Sequence, residues 1–190
     1  MVGSSRVLRI HHWVPDSRAN GPGSRAVVWV QGCSLGCPGC FNPQSHPRLA
    51  GTAVQIEDLL AKLVALQDQI EGLTISGGEP LQQMPALLEL LHALRRTTHL
   101  SVLAFTGFTW AEVQRMPHSA ELLASLDVLI AGRFVASQRL AQGLIGSTNK
   151  TVHLLTQRYS WKDLQLTPPA EVWIARDGEI ELSGIDPLRW

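Results

Sequence analysis

The chain has 190 residues, 45% of them hydrophobic and 17% charged, and its sixteen lysines and arginines balance its sixteen aspartates and glutamates. That length fits one domain able to bury a substantial core without disulfide or metal staples, so a metal held here serves function rather than folding. No apolar stretch approaches the length of a membrane helix, no run of like charge marks a nucleic-acid surface, and the opening MVGSSRVLRIHHW lacks the apolar core of a secretory signal, so the reducing cytoplasm is the expected compartment.

In chain order, His11 and His12 come first; adjacent histidines on a strand point to opposite faces and do not readily share one ion, so a surface or edge position is expected. NGPGSR (Asn20 to Arg25) reads as a turn without a catalytic role. Strands are expected at Val27 to Gln31, Leu73 to Ser76, Leu100 to Phe105, Val128 to Ala131 and Val152 to Leu155, each an apolar run with strand character. A helix is expected from Val54 to Ile70, with Ile56, Leu59, Leu60, Leu63, Val64, Leu66 and Ile70 on one face, and another from Pro85 to Arg96, with Leu87, Leu88, Leu91 and Leu94 inward. Strands separated by helices predict an α/β fold with a mainly parallel sheet, whose sites sit at the carboxyl ends of the strands. His153, in an apolar strand, is expected as a hydrogen-bonded core residue. Phe105, Phe108 and Trp110 are candidate walls of a dry pocket, with simple core packing as the alternative. Beyond Tyr159 the pattern changes, and TPPAEVWIARDGEIELSG predicts a tight hairpin around Asp177 and Gly178. The division expected is a core over positions 1–158 and a dependent extension over 159–190.

All three cysteines, Cys33, Cys37 and Cys40, lie in VQGCSLGCPGCFNPQSH. Three readings stay open on spacing alone: a disulfide with one thiol left over, a Cys3His zinc site completed by His46, or an iron-sulfur cluster with one iron free of protein ligands. LTISGGEPL then places Ser76, Gly77, Gly78, Glu79 and Pro80 at a strand end, where paired glycines let the backbone approach a ligand and Glu79 offers a carboxylate to a cationic amine.

The C-x3-C-x2-C loop and the GGE turn together resemble the radical S-adenosylmethionine superfamily. The order of NGPGSR, QGCSLGCPGCFNP, GGEP, FTGF, LDVLIAGRF and GSTNKTVHL over most of Asn20 to Leu155 is similar to one branch, the activating proteins of anaerobic ribonucleotide reductase. That resemblance implies an incomplete (βα) barrel of mainly parallel sheet, to which the short C-terminal β-hairpin is an extension. It implies one 4Fe-4S cluster on Cys33, Cys37 and Cys40. It also implies S-adenosyl-L-methionine contacts from Gly39, Phe41, Ser76, Gly77, Gly78 and Glu79, with Phe41 near adenine and a side chain at Gly78 intruding on the cofactor. The implied activity is reductive cleavage to a 5′-deoxyadenosyl radical that takes a hydrogen from a glycine of a large glycyl-radical enzyme, fed by a low-potential donor such as flavodoxin or ferredoxin. Departures from the branch are Ala131 where an acidic residue is expected, Ile145 where a basic one is, and the tail after Leu155. They keep open a radical enzyme acting on a peptide or small molecule, and a non-catalytic three-cysteine module for metal binding or electron transfer.

Overall fold

A computed structural model describes residues 6–174 and 177–185. Positions 1–5, 175–176 and 186–190 lie outside the described residues.

Among the described residues, a seven-stranded sheet forms the frame. Its central strands, β2 (Arg25–Val30), β4 (Gly72–Gly77), β5 (Ser101–Thr106) and β6 (Val128–Ala131), run parallel in that order. Three flanking strands run antiparallel to their neighbours: β1 (Val7–Ser17) beside β2, β3 (Thr52–Gln55) beside β1, and β9 (Thr151–Leu154) beside β6. The sheet is open, with β3 and β9 at its edges.

The central strands are apolar on both faces because both faces are covered. On one face Ala26, Val28, Val30, Leu73, Ile75, Val102, Ala104 and Leu129 pack with the helices α1 (Ile56–Leu66) and α2 (Met84–Thr97). Leu87, Leu90, Leu91 and Leu94 of α2 are fully buried there, each worth about 1.5–3 kcal/mol. The alternate residues Leu103, Val128 and Ile130 face the other way and pack on Leu144 and Leu164, the latter from α5 (Trp161–Gln165) in the tail. Ile145 belongs to a small hairpin, β7 (Arg139–Gln142) and β8 (Ile145–Ser147), and lines a small apolar cleft with Trp161 and Leu164. An aliphatic residue at position 145 is thus matched by the tail, and Ala131 is buried at the end of β6.

Two expectations are corrected. The strand β1 precedes the strand expected first; a register shift between Ile10 and His12 interrupts its alternation, which hid it. Val54 pairs with Leu8 in β3, and the helix begins only at Ile56 and ends at Leu66, with Ile70 buried beyond a turn. The tail hairpin expected around Asp177 and Gly178 is present as β10 (Ala170–Ile174) and β11 (Ile180–Gly184), in which Ile174 pairs with Ile180. Two further helices, α3 (Trp110–Arg115) and α4 (Ser119–Ala124), fill the β5–β6 crossover.

At the amino ends of the parallel strands the buried Arg25 guanidinium donates to Thr74 Oγ1 at 2.8 Å, Ser101 Oγ at 2.9 Å, the Leu73 carbonyl at 2.9 Å and Tyr159 Oη at 3.0 Å. It joins three strands to the tail, at the end of the sheet opposite the cysteines.

Candidate active site

The cysteine loop leaves β2 and is tied back on itself. Gly32 N donates to the Ser45 carbonyl at 2.7 Å and Cys33 N to the His46 carbonyl at 3.1 Å. The buried Gln31 side chain donates to the Pro47 carbonyl at 2.8 Å. Gly36 and Gly39 adopt φ of 62° and 70°, the left-handed region that turns the chain between cysteines. All three thiols are free and half-buried. Burial pushes Cys33 and Cys40 up, and at Cys40 the nearby Lys150 ammonium works in the opposite direction.

The GGE turn is stitched to this loop. Gly78 N donates to the Val30 carbonyl at 2.8 Å and Glu79 N to the Gly32 carbonyl at 2.9 Å. A Cβ at Gly78 would collide with the Gly32 carbonyl oxygen, so what a side chain there meets first is the cysteine loop's own backbone and not a cofactor. Gly77, at φ 97°, lies against the backbone of β2. Glu79 is 0% exposed. Its Oε1 accepts from Leu81 N at 3.0 Å and Thr106 Oγ1 at 2.8 Å, and its Oε2 accepts from Gly107 N at 2.7 Å. Burial raises its pKa, against those three bonds and the Lys150 charge. A carboxylate offers about four acceptor positions, so one is left for a ligand.

The cysteines, Ser76, Gly77, Gly78, Glu79 and Phe41 line one cavity of about 530 Å³. Gly39 lies beside its wall, where a Cβ would approach Ala136 at 3.4 Å. Phe41 packs against Phe134 with ring centroids 4.4 Å apart and lies under the Arg139 guanidinium at 5.3 Å. Gly146 leaves room for the ring, since a Cβ there would meet Phe41 Cε2 at 2.8 Å. Of the three aromatic residues considered as walls, Phe105 lines the cavity. Trp110 instead stacks on His153 at 3.8 Å, and Phe108 lies beneath Arg133 at 5.8 Å. His153 is half-buried in the edge strand β9, bonded to Thr151 Oγ1 at 2.8 Å, and burial lowers its pKa.

Several lining residues escaped sequence reasoning. Lys150 is half-buried, donates from Nζ to the Gly132 carbonyl at 2.5 Å, and has its pKa lowered by burial against the attraction of Cys37, Glu79 and Cys40. A single lysine in GSTNKT carries no periodic signal that would single it out. His11 and His12 both line the cavity, because the irregular register of β1 removes the alternation that would have separated them. His12 Nε2 meets Glu181 Oε1 at 2.5 Å and its ring tilts against Trp29 at 5.5 Å, while His11 Nδ1 bonds Gln31 Oε1 at 3.1 Å. Glu181, Leu182, Ser183 and Gly184 of β11 complete the far wall. The tail hairpin is held by Glu171, which bonds Ser17 Oγ and accepts from Arg18 N at 2.8 Å, and by Ser183, which accepts from Asn20 Nδ2 at 2.6 Å.

The donor set fits an iron-sulfur cluster. Among the described residues no group of three or more His, Cys, Asp and Glu side chains closes on a single ion position, as four-donor zinc requires. A cuboidal cluster takes each thiolate at a different iron, so its ligands need to face one space and not one point.

Comparison with known proteins agrees with that chemistry. The family described as 4Fe-4S single cluster domain matches residues 19–153. The anaerobic ribonucleoside-triphosphate reductase-activating protein of Vibrio cholerae is 30% identical over 157 residues, covering 78% of this chain and 99% of its own. A putative glycyl-radical enzyme activating enzyme of Haemophilus influenzae is 35% identical over 101 residues, covering 52% of this chain and 38% of its own. Among solved structures, QueE from Escherichia coli aligns with a TM-score of 0.46 at 21% identity over 54% of each chain.

Proposed function

The chain belongs to the 4Fe-4S single cluster domain family, and from that premise we propose that it is an activating enzyme of the radical S-adenosylmethionine type that generates a glycyl radical on a large protein partner. In this reading its cofactors are a 4Fe-4S cluster, in accord with the family match, and S-adenosyl-L-methionine. The observation that carries the reading is the stitching of a three-thiol loop to a GGE turn at the floor of one cavity.

Cys33, Cys37 and Cys40 would hold the cluster, and Gly39, Phe41, Ser76, Gly77, Gly78 and Glu79 would hold S-adenosylmethionine. When bound, these groups supply one-electron reductive cleavage of a sulfonium and abstraction of a single hydrogen atom. The chain's own part is to bind, orient and exclude water. Phe41, Phe134 and Phe105 give the cavity apolar walls, which keep a reactive species from solvent. Lys150 places a positive charge beside the thiols, which at Cys40 works against the burial that raises its pKa. Glu79, fixed by three donors, is oriented before any ligand arrives.

The partner, a large glycyl-radical enzyme such as an anaerobic ribonucleotide reductase, and a flavodoxin or ferredoxin as low-potential donor, are part of the proposal. The test is anaerobic reconstitution followed by iron and sulfide analysis, then reduction with dithionite in the presence of S-adenosylmethionine. Stoichiometric iron and sulfide, release of 5′-deoxyadenosine, and a glycyl doublet by electron paramagnetic resonance on a co-encoded glycyl-radical enzyme are the results expected. Stoichiometric zinc without iron overturns it.

A further inference from the structure

The cavity has two ends. At one lie the cysteines and the GGE turn; at the other lie His11, His12, Trp29 and Asn20, closed over by β11 of the tail hairpin. The family match stops at residue 153, and the Vibrio cholerae relative is matched over 99% of its own length while leaving about a fifth of this chain unmatched. The wall that β11 builds therefore lies outside the residues that the family match covers.

The hairpin is mounted with its polar side inward. Paired residues on antiparallel strands share a face, so Glu171, Ser183, Trp173 and Glu181 are on one side and Val172, Leu182, Ile174 and Ile180 on the other. The first set reaches Ser17, Arg18, Asn20 and His12, and the second leaves Ile174 72% and Ile180 55% exposed. This packing brings a carboxylate and an imidazole together over the cavity, each side chain still about half exposed at 45% and 46%. With His12 Nε2 engaged by Glu181 Oε1, the pair leaves Glu181 Oε2 as an acceptor open to a ligand.

Charge narrows the ligand. Among the described residues that line the cavity, Lys150 is the one lysine or arginine, and it sits beside the thiols, engaged by the Gly132 carbonyl. The far end offers a phosphorylated or polycarboxylate molecule no fixed cation, and Glu181 would repel it. The backbone N–H groups of a peptide match the free Glu181 oxygen without adding charge, and Trp29, against the His12 ring, supplies apolar surface beside it.

The geometry points to His12 and Glu181 as substrate-binding residues that receive an uncharged, glycine-containing polypeptide segment, with β11 as the wall that selects it. The assignment rests on the function proposed above and adds to it where the substrate binds and by which groups. In each turnover one external electron and one S-adenosylmethionine are consumed, methionine leaves, and one hydrogen atom moves from the glycine Cα to the 5′ carbon, giving 5′-deoxyadenosine and leaving the unpaired electron on the peptide.

The experiment uses the full-length reconstituted holoenzyme, dithionite as electron source, and a capped, alanine-flanked heptapeptide whose central glycine carries two deuterium atoms at Cα. Mass spectrometry follows deuterium in 5′-deoxyadenosine as peptide concentration rises. Wild-type protein is expected to show saturable transfer, and Glu181→Gln and His12→Phe to raise the half-saturating peptide concentration about tenfold or more, with a smaller effect on the maximal rate. Glu179→Gln, on the same hairpin but away from the cavity, is expected to match wild type. Glu181→Gln is isosteric and its far-UV circular dichroism verifies folding. Equal half-saturation in all variants overturns the assignment. So does cleavage of S-adenosylmethionine without any deuterium transfer, or displacement of the peptide by ATP at lower concentration. Failure of wild-type protein to cleave S-adenosylmethionine overturns the function proposed above, and this assignment with it.

Discussion

At the residue scale, two positions of the GGE turn do more than their spacing suggests. Glu79 was legible as a carboxylate at a strand end, but not as a buried one that accepts from Leu81, Thr106 and Gly107. Those partners come from another strand and turn, and no local pattern announces them. Glu79→Gln places an amide where at least one of these donors points, and is expected to cost about 1–3 kcal/mol in chemical denaturation as well as weakening S-adenosylmethionine in a direct titration. Gly78→Ala meets the Gly32 backbone, which no rotamer change relieves, so it is expected to cost about 1–3 kcal/mol and to lower iron retention after reconstitution. Loss of cofactor affinity with full iron content would show that the alanine intrudes on the cofactor instead. Asp127 carries a pH-dependent term. Burial opposes its charge, but the Val102 N–H, Thr156 and Arg95 together hold its carboxyl below the usual range. A depressed carboxylate contributes stability above its unfolded pKa of about 3.9 and loses it as pH falls through the folded value. Asp127→Asn is therefore expected to cost about 1.5–3 kcal/mol at pH 7, and urea denaturation should show the gap from wild type closing in more acidic buffer, below about pH 4.

At the element scale, the four parallel strands were readable because they are buried on both faces, which leaves unbroken apolar runs such as VVWV and VLIA. The antiparallel strands were harder. β1 loses its alternation where the register shifts, and β3 is a short exposed edge segment whose only claim to strand structure is its pairing with Val7 to Ile10. The cysteine loop announced itself through composition, whereas the β7–β8 hairpin that closes over it did not. Gly146 of β8 is the point of contact. Gly146→Val is expected to push the Phe41 ring out of its place against Phe134 and raise the dissociation constant for S-adenosylmethionine by roughly tenfold, measured by titration of the reconstituted protein. An unchanged constant would remove Phe41 from the cofactor wall.

At the scale of the whole molecule, the sheet separates anchoring from chemistry. Arg25 ties β2, β4, β5 and the tail together at the amino ends of the strands, and the cysteines and the GGE turn stand at the carboxyl ends. Arg25→Met keeps the apolar stem but strands several buried acceptors, and is expected to cost about 3 kcal/mol or more by urea denaturation. S-adenosylmethionine affinity per folded molecule should be unchanged. The tail was legible as an addition but not as a wall, because its polar side turns inward and its apolar Ile174 and Ile180 outward, the reverse of what amphipathic patterning leads one to expect. The main-chain stitching of the cysteine loop has a consequence for life in air. Both ends of the loop are fixed by Gly32, Cys33, Gly78 and Glu79 through backbone bonds that owe nothing to sulfur or iron. Oxygen that strips a cluster held by this loop would therefore free only the loop's tip, and the sheet would outlast the injury. Such a protein would be refilled in place, where one folded around its metal would first have to refold.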